Sequence, residues 1–372
     1  MEELEYRQNI DNVIYLCSCA VNGTVPDKGR TAVFSLGPLF EAAKNHMLTS
    51  ITGQVLERTG VTTDFFRSAV VAAQRQAVLL NADLKNVLSE LENAGIWYMP
   101  LKGTILKNLY PRFAMREMCD CDILFDADRA EDVKTIMEKL GFGVKSFGER
   151  NDDDYWKLPV SSFEMHRVLF GSMHDKKLYE YYKDIKRRLL KDENNNYGYH
   201  FSSEDFYIFM IAHESKHYNR SGTGLRSLLD IYVYLHAVDL DMSYVKTETE
   251  KLGIDKFEEK NRSLALKLFS EGALSEEEQI MFDYIIRSGT YGSLDHYVEN
   301  QVKKEGKLKY LFRRICGPFE KNDPYCAQFR KKYTTFFKYP ILLPFLPIYR
   351  FFKALKNKPK RILAEVTAVH KS

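Results

Sequence analysis

No apolar run in this 372-residue chain reaches the ~20 residues that a membrane-spanning helix needs. The nearest approach, YTTFFKYPILLPFLPIYRFF, is broken by Pro340, Pro344 and Pro347. A transmembrane class is therefore excluded by this reading. The opening MEELEYRQNI is acidic and polar, so no secretory leader is expected. Internal repeats and low-complexity linkers are also missing, which argues against arrays and long disordered spacers. Cysteine is sparse: six residues fall as Cys17/Cys19, Cys119/Cys121 and Cys316/Cys326. Without a leader these thiols read as reduced and the chain as cytoplasmic. A C-x-C pair with no matching second pair is a poor zinc signature.

What is present suits a soluble protein with a large core. Hydrophobic residues make up 45% and charged residues 28%, with 23 Tyr and 24 Phe. The net charge of +3 conceals an asymmetry. From Lys303 onward there are 18 Lys/Arg against 4 Asp/Glu, and the rest of the chain carries 36 basic and 47 acidic side chains. Such a basic segment can meet the acidic body of its own chain, an anionic membrane surface or nucleic acid. Its mixture of Pro with Phe, Leu and Tyr favours docking, ahead of a peripheral membrane contact, with nucleic acid last.

Periodicity divides the chain into four regions. Residues 1–95 read as helices, the longest starting at Thr63/Asp64 and stopping at Gly95. Residues 96–195 alternate strand, helix, strand, helix, strand, which describes a small α/β core with a mixed sheet. Its strands are IWYMP, MREMCDCDILFD and SSFEMHRVLF. Its best-marked helix, DADRAEDVKTIMEKLGF, has Asp128 as cap and Gly141 as stop. The stretch containing Asp152-Asp153-Asp154 reads as a polar loop. Residues 196–300 are a helical domain, and 301–372 form the basic, apolar C-terminal segment.

Chemistry concentrates on acids. Alternate strand residues share a face, so Asp120 and Asp122 project together, away from Cys121 and Ile123. Glu164 and His166 likewise share a face, opposite Phe163 and Met165. If the two strands pair, three carboxylates converge. Clustered carboxylates repel unless cations lie between them, and a hard oxygen-seeking ion such as Mg²⁺, with Mn²⁺ as its substitute, also binds phosphate. Two such ions about 3.5–4 Å apart can clamp the attacking and leaving oxygens of a phosphoryl or nucleotidyl transfer. Asp120, Asp122 and Glu164 are thus the candidate metal ligands and catalytic residues. The Lys102-Gly103-Thr104 turn opens a helix whose amides attract anions. With Arg116 and its fork of donors, it is the candidate phosphate site.

The stretch LKGTILKNLYPRFAMREMCDCDILFDADRAEDVKTIMEKLGF resembles the core of the uncharacterised nucleotidyltransferase-like proteins of the DNA polymerase β superfamily, which are bacterial. The resemblance rests on Leu101, Lys102, Gly103, Tyr110, Pro111, Arg116, Asp120, Asp122, Gly141 and Phe142, then on Glu164 and His166. It continues through His213, His217, Arg226 and Asp230 to Tyr339-Pro340, Leu346-Pro347 and Arg350, so it spans about residues 90–360. It implies a nucleotidyltransferase core, an NTP substrate with ATP first, and a substrate side lined by His166, His213, His217, Arg226 and Asp230. The acceptor stays open between a small molecule, a sugar and a protein side chain. The wider superfamily holds its triphosphate with a Gly-Ser turn, and Lys-Gly-Thr stands there in this chain.

Two other readings compete. His213-Glu214-Ser215-Lys216-His217 fits H-E-x-x-H, the zinc hydrolase helix, although YNRSGTGLR just beyond it offers no third ligand. A catalytically inactive module that binds nucleotide or a partner is the non-enzyme alternative.

Overall fold

The structure is a computed structural model that describes residues 3–61, 63–171, 175–317, 329–330 and 332–371. It is a mixed α/β protein in which helices predominate. Two compact units make up the chain: one runs to Ser215 and resumes over Gly224–Ile286, and the other comprises Lys216–Thr223 and the chain from Arg287 onward. The helices of the 196–300 segment are therefore shared between the units. Cys326, one of the paired cysteines, lies outside the described residues.

The first unit opens with helices α1 (Glu3–Val21), α2 (Lys28–Ala32), α3 (Leu36–Asn45), α4 (Thr49–Glu57) and α5 (Asp64–Asn93). The start of α5 is set as the sequence suggests, with the Thr63 hydroxyl accepting from the Phe66 amide. The sheet follows: β1 (Tyr98–Pro100), the short helix α6 (Gly103–Leu106), β2 (Cys121–Phe125), α7 (Ala130–Lys139), β3 (Gly143–Ser146), β4 (Asp152–Lys157) and β5 (Ser161–His166). Its strands lie in the order β1-β2-β5-β4-β3, and of its four pairings only β2 with β5 is parallel.

Two local expectations change. The run RNDDDYWK, expected as a loop, supplies strand β4, which pairs antiparallel with β5 along its whole length. Its acids have low strand propensity, but Tyr155 is fully buried and every β4 residue is paired with β5, so tertiary context outweighs local preference. The cap near α7 is Asp126, whose carboxylate accepts from the Asp128 amide and starts a 3₁₀ turn ahead of the helix. Asp128 lies inside that turn.

Strand alternation gives the sheet two unlike faces. Cys121, Ile123 and Phe125 of β2, Phe163 and Met165 of β5, and Tyr155 of β4 are buried in one core with Leu80, Val87 and Leu91 of α5 and Val133 and Met137 of α7. The remaining alternate positions, Asp122, Glu164, His166, Asp152 and Asp154, fall on the other face. Burial of the apolar face fixes the register, since a one-residue slip would exchange the two sets. Helices α8 (Lys176–Tyr182), α9 (Ser203–Tyr218), α10 (Leu225–Ala237), α11 (Met242–Leu252), α12 (Asp255–Phe269) and α13 (Glu276–Ser288) follow the sheet.

Phe163→Ala should remove a fully buried ring that packs edge-on against Phe142. The expected cost is about 3–5 kcal/mol in denaturant unfolding.

Candidate active site

The site begins with a turn that only glycine fits. Thr104 donates its amide to the Leu101 carbonyl at 3.2 Å, closing a tight turn around Lys102 and Gly103. Lys102 has φ 46° and ψ −115°, a conformation costly for a side-chain-bearing residue. A Cβ on Gly103 would stand 2.4 Å from Arg116 Nη1 and 2.6 Å from Met118 Sδ, so the close approach of this loop requires glycine. Thr104 is buried and its hydroxyl donates back to the Leu101 carbonyl. That hydroxyl holds the turn. The turn aims Lys102 Nζ at Asp122 Oδ1, 2.7 Å away.

Across the sheet, the parallel register sets Asp122 of β2 beside Glu164 of β5, and the antiparallel register sets Asp154 of β4 on Glu164's other side. One ligand atom from each of Asp122, Glu164 and His166 lies within 4.8 Å of the others. A second such group is formed by Asp152, Asp154 and Glu164. Asp120 sits one residue ahead of β2, half-buried, within electrostatic reach of Asp122, Lys102 and Arg226. Asp152 and Asp154 are the residues that sequence reasoning passed over. Their alternation into Tyr155 and Trp156 was the available strand signal.

The electrostatics divide these acids. Burial alone would raise the Asp122 carboxyl, but the Lys102 ammonium and the His166 ring hold it well below the usual range. An ionised Asp122 makes His166 Nε2, 2.8 Å from Oδ1, the donor of that bond. Its buried Nδ1 has no hydrogen-bond partner. Glu164 behaves oppositely: burial, then the charges of Asp122 and Asp120, push its carboxyl up to about 8. Asp120 and Asp152 are also raised, each chiefly by burial. Arg150 pairs with Asp152 and Asp154, yet the acids still outnumber the cations, and with one oxygen of Asp154 buried and unpartnered they are a donor set that a hard divalent cation fits.

Arg116 is held from behind. Its Nε and Nη2 donate to the two oxygens of Asp230 on α10, at 2.7 and 2.8 Å, and Tyr110 Oη donates to the same carboxylate at 2.8 Å. All three residues are buried. The loop before β2 is tied on its other side as well. Glu117 accepts from Thr49 Oγ1 and the Ser50 amide of α4 at 2.8 and 2.7 Å, and Ser50 Oγ donates to the Ala114 carbonyl at 2.7 Å. Arg226 Nη1 donates to the Glu117 carbonyl at 3.3 Å and faces the charge of Asp120.

The remaining candidates lie on α9. His213 is half-buried near the Phe209 ring, and His217 follows one turn later. Glu214 between them is buried and accepts from Asn261 Nδ2 at 2.8 Å. Among the described residues, neither histidine joins two further His, Cys, Asp or Glu side chains in a metal-sized group.

A family described as uncharacterised nucleotidyltransferase matches residues 37–270, well over half of the sequence. The chain belongs to this family. The matched stretch contains the turn, all the acids of the sheet, Arg226 and Asp230, and stops short of the Tyr339-Pro340 and Leu346-Pro347 motifs. No curated protein and no solved structure matches the chain. Membership supports a general nucleotidyltransferase role, an NTP substrate and the divalent metal that such enzymes generally use.

Two outcomes follow from this geometry. Arg116→Met leaves the buried Asp230 charge with the Tyr110 hydroxyl but no counter-ion, and urea unfolding should show a loss of about 3–5 kcal/mol, much of it recovered by Arg116→Met/Asp230→Leu. Glu164 binds a proton more tightly folded than unfolded, so its contribution to stability is full below its unfolded value and is lost as pH rises through about 8. Metal-free Glu164→Gln should therefore melt a few degrees above metal-free wild type in alkaline buffer. The two should melt together in acid, as calorimetry across pH would show.

Proposed function

We propose that the chain moves a nucleoside monophosphate from an NTP, ATP first, to a hydroxyl or phosphate of an acceptor. An acceptor oxygen attacks the α-phosphorus, its proton passes to a base, and pyrophosphate departs with the electrons of the broken P–O bond. The supporting observation is the register that sets Asp122 beside Glu164, from segments 42 residues apart, next to the Lys102-Gly103 turn.

In this reading Asp120, Asp122 and Glu164 would hold Mg²⁺ or Mn²⁺, which when bound neutralises the triphosphate and orients it. Lys102 is the cation that the turn offers to phosphate oxygens. Glu164, in its ionised form, suits the role of base for the acceptor's proton. His166 holds Asp122 through its Nε2–H. Arg116 acts as a positioning residue, since its fork grips Asp230, and Asp230 acts through it. Arg226 and His213 are assigned to the acceptor side, Arg226 because it faces Asp120. His217 joins them only by the family pattern.

The reading is tested with α-phosphate-labelled NTPs and a cell lysate as the source of acceptors. Wild type should transfer label in a divalent-metal-dependent way, and Asp122→Asn should lower the rate roughly a hundredfold or more. Nucleotide binding without transfer would favour the inactive binding module instead.

A further inference from the structure

The second unit carries apolar residues where water should meet polar ones. Helix Lys307–Cys316 exposes Leu308, Phe312 and Ile315, each more than half open to solvent. Steps of four and three residues bring them into one narrow stripe. Helix Leu346–Asn357 repeats the spacing with Ile348, Phe352 and Leu355. The far side of the first helix faces the unit's own core, where Tyr310 packs with Val298, Ala368 and Val369. The two helices are tied together by Arg350, which donates to the Ile315 carbonyl at 2.8 Å and the Arg314 carbonyl at 3.3 Å.

Charge is arranged around these stripes. Two acids of the unit are engaged internally: Glu305 accepts from Arg313 at 2.6 Å, and Glu365 accepts from Arg314 at 2.7 Å and from Tyr310 Oη at 2.7 Å. Lys307 and Lys309 lie about 100° to either side of Leu308 on the helix wheel, and Lys356 borders the second stripe. An apolar centre edged by long cationic side chains is the pattern of a helix lying in a bilayer interface, where the stems snorkel and the ammonium groups meet lipid phosphate. From Lys303 onward the sequence has 18 Lys/Arg against 4 Asp/Glu, and near an anionic leaflet each cation adds about 1 kcal/mol of attraction.

We propose that this unit docks on the surface of an anionic bilayer, its two stripes entering the boundary between headgroups and acyl chains. No helix among the described residues is long and apolar enough to cross a membrane, so the contact is peripheral. A second copy of the same face would bring like charge against like charge. A nucleic acid would call for cations at the centre of the contact, where these helices place Leu, Ile and Phe.

Flotation of the full chain with vesicles tests this. Binding to equal parts phosphatidylglycerol and phosphatidylcholine should exceed binding to phosphatidylcholine alone by roughly tenfold or more. Leu308→Glu/Phe352→Glu should lose a comparable factor while keeping the wild-type melting temperature. A Phe352→Trp reporter, which leaves the surface apolar, should shift its emission to the blue on anionic vesicles. The proposal is overturned by absence of that shift, by vesicle binding that the double substitution leaves intact, by a dimer that the double substitution dissolves, or by equally tight binding of an oligonucleotide. None of these readouts depends on nucleotidyl transfer.

Discussion

Like-charge repulsion on one face of the sheet organises the site. Asp122 and Glu164 are neighbours because β2 and β5 run parallel in a fixed register, and that register is fixed by the apolar side chains behind them. The core therefore does electrostatic work at a distance. Each buried Phe, Met or Ile on one face obliges a carboxylate to stay where water would otherwise disperse its charge. Asp122 tolerates this because Lys102 and His166 meet its charge directly. Glu164 is met less closely, with His166 Nε2 3.7 Å away, and burial with the charges of Asp122 and Asp120 makes its carboxyl hold its proton. Two chemically identical groups on adjacent strands thus acquire opposite protonation preferences, which is the division that acid–base chemistry requires.

The turn before β2 shows how local strain and long-range support combine. Lys102 adopts a backbone conformation that glycine would take more readily, and Gly103 gives up a side chain so that Arg116 can pass close by. Neither compromise would persist without the fastening of the loop to α4 through Glu117 and to α10 through Asp230. Strain held by surrounding structure is a common property of sites that must present a charge at a fixed point. Here the charge so held is the ammonium of Lys102, set against Asp122.

Much of this was legible in the sequence, and the reason is periodicity. A strand of known phase tells which residues share a face, so Asp122, Glu164 and His166 could be assigned together before their strands were known to pair. The helices α5, α9 and α10 were equally readable from apolar spacing, and the Thr63 cap from its hydroxyl. Strand β4 was not, because Asn and Asp favour turns locally and only the partner strand makes them extended. The company of Arg116 was not readable either. An arginine four residues before an acid suggests phosphate, and nothing local announces a counter-ion on a helix far down the chain. Periodicity carries information along a face, whereas it carries none about which distant side chain will neutralise a buried charge.

The ion pair between Arg116 and Asp230 joins residues 114 positions apart. On a ribosome, the acids of β2 and β5 emerge long before α10 does. Until that helix is made, Arg116 has no carboxylate to grip, and the loop carrying Asp120 lacks half of its fastening. The candidate site thus reaches its final form late in synthesis, and a chain cut off after the sheet would carry every acid of the site without the restraint that aligns the loop before β2.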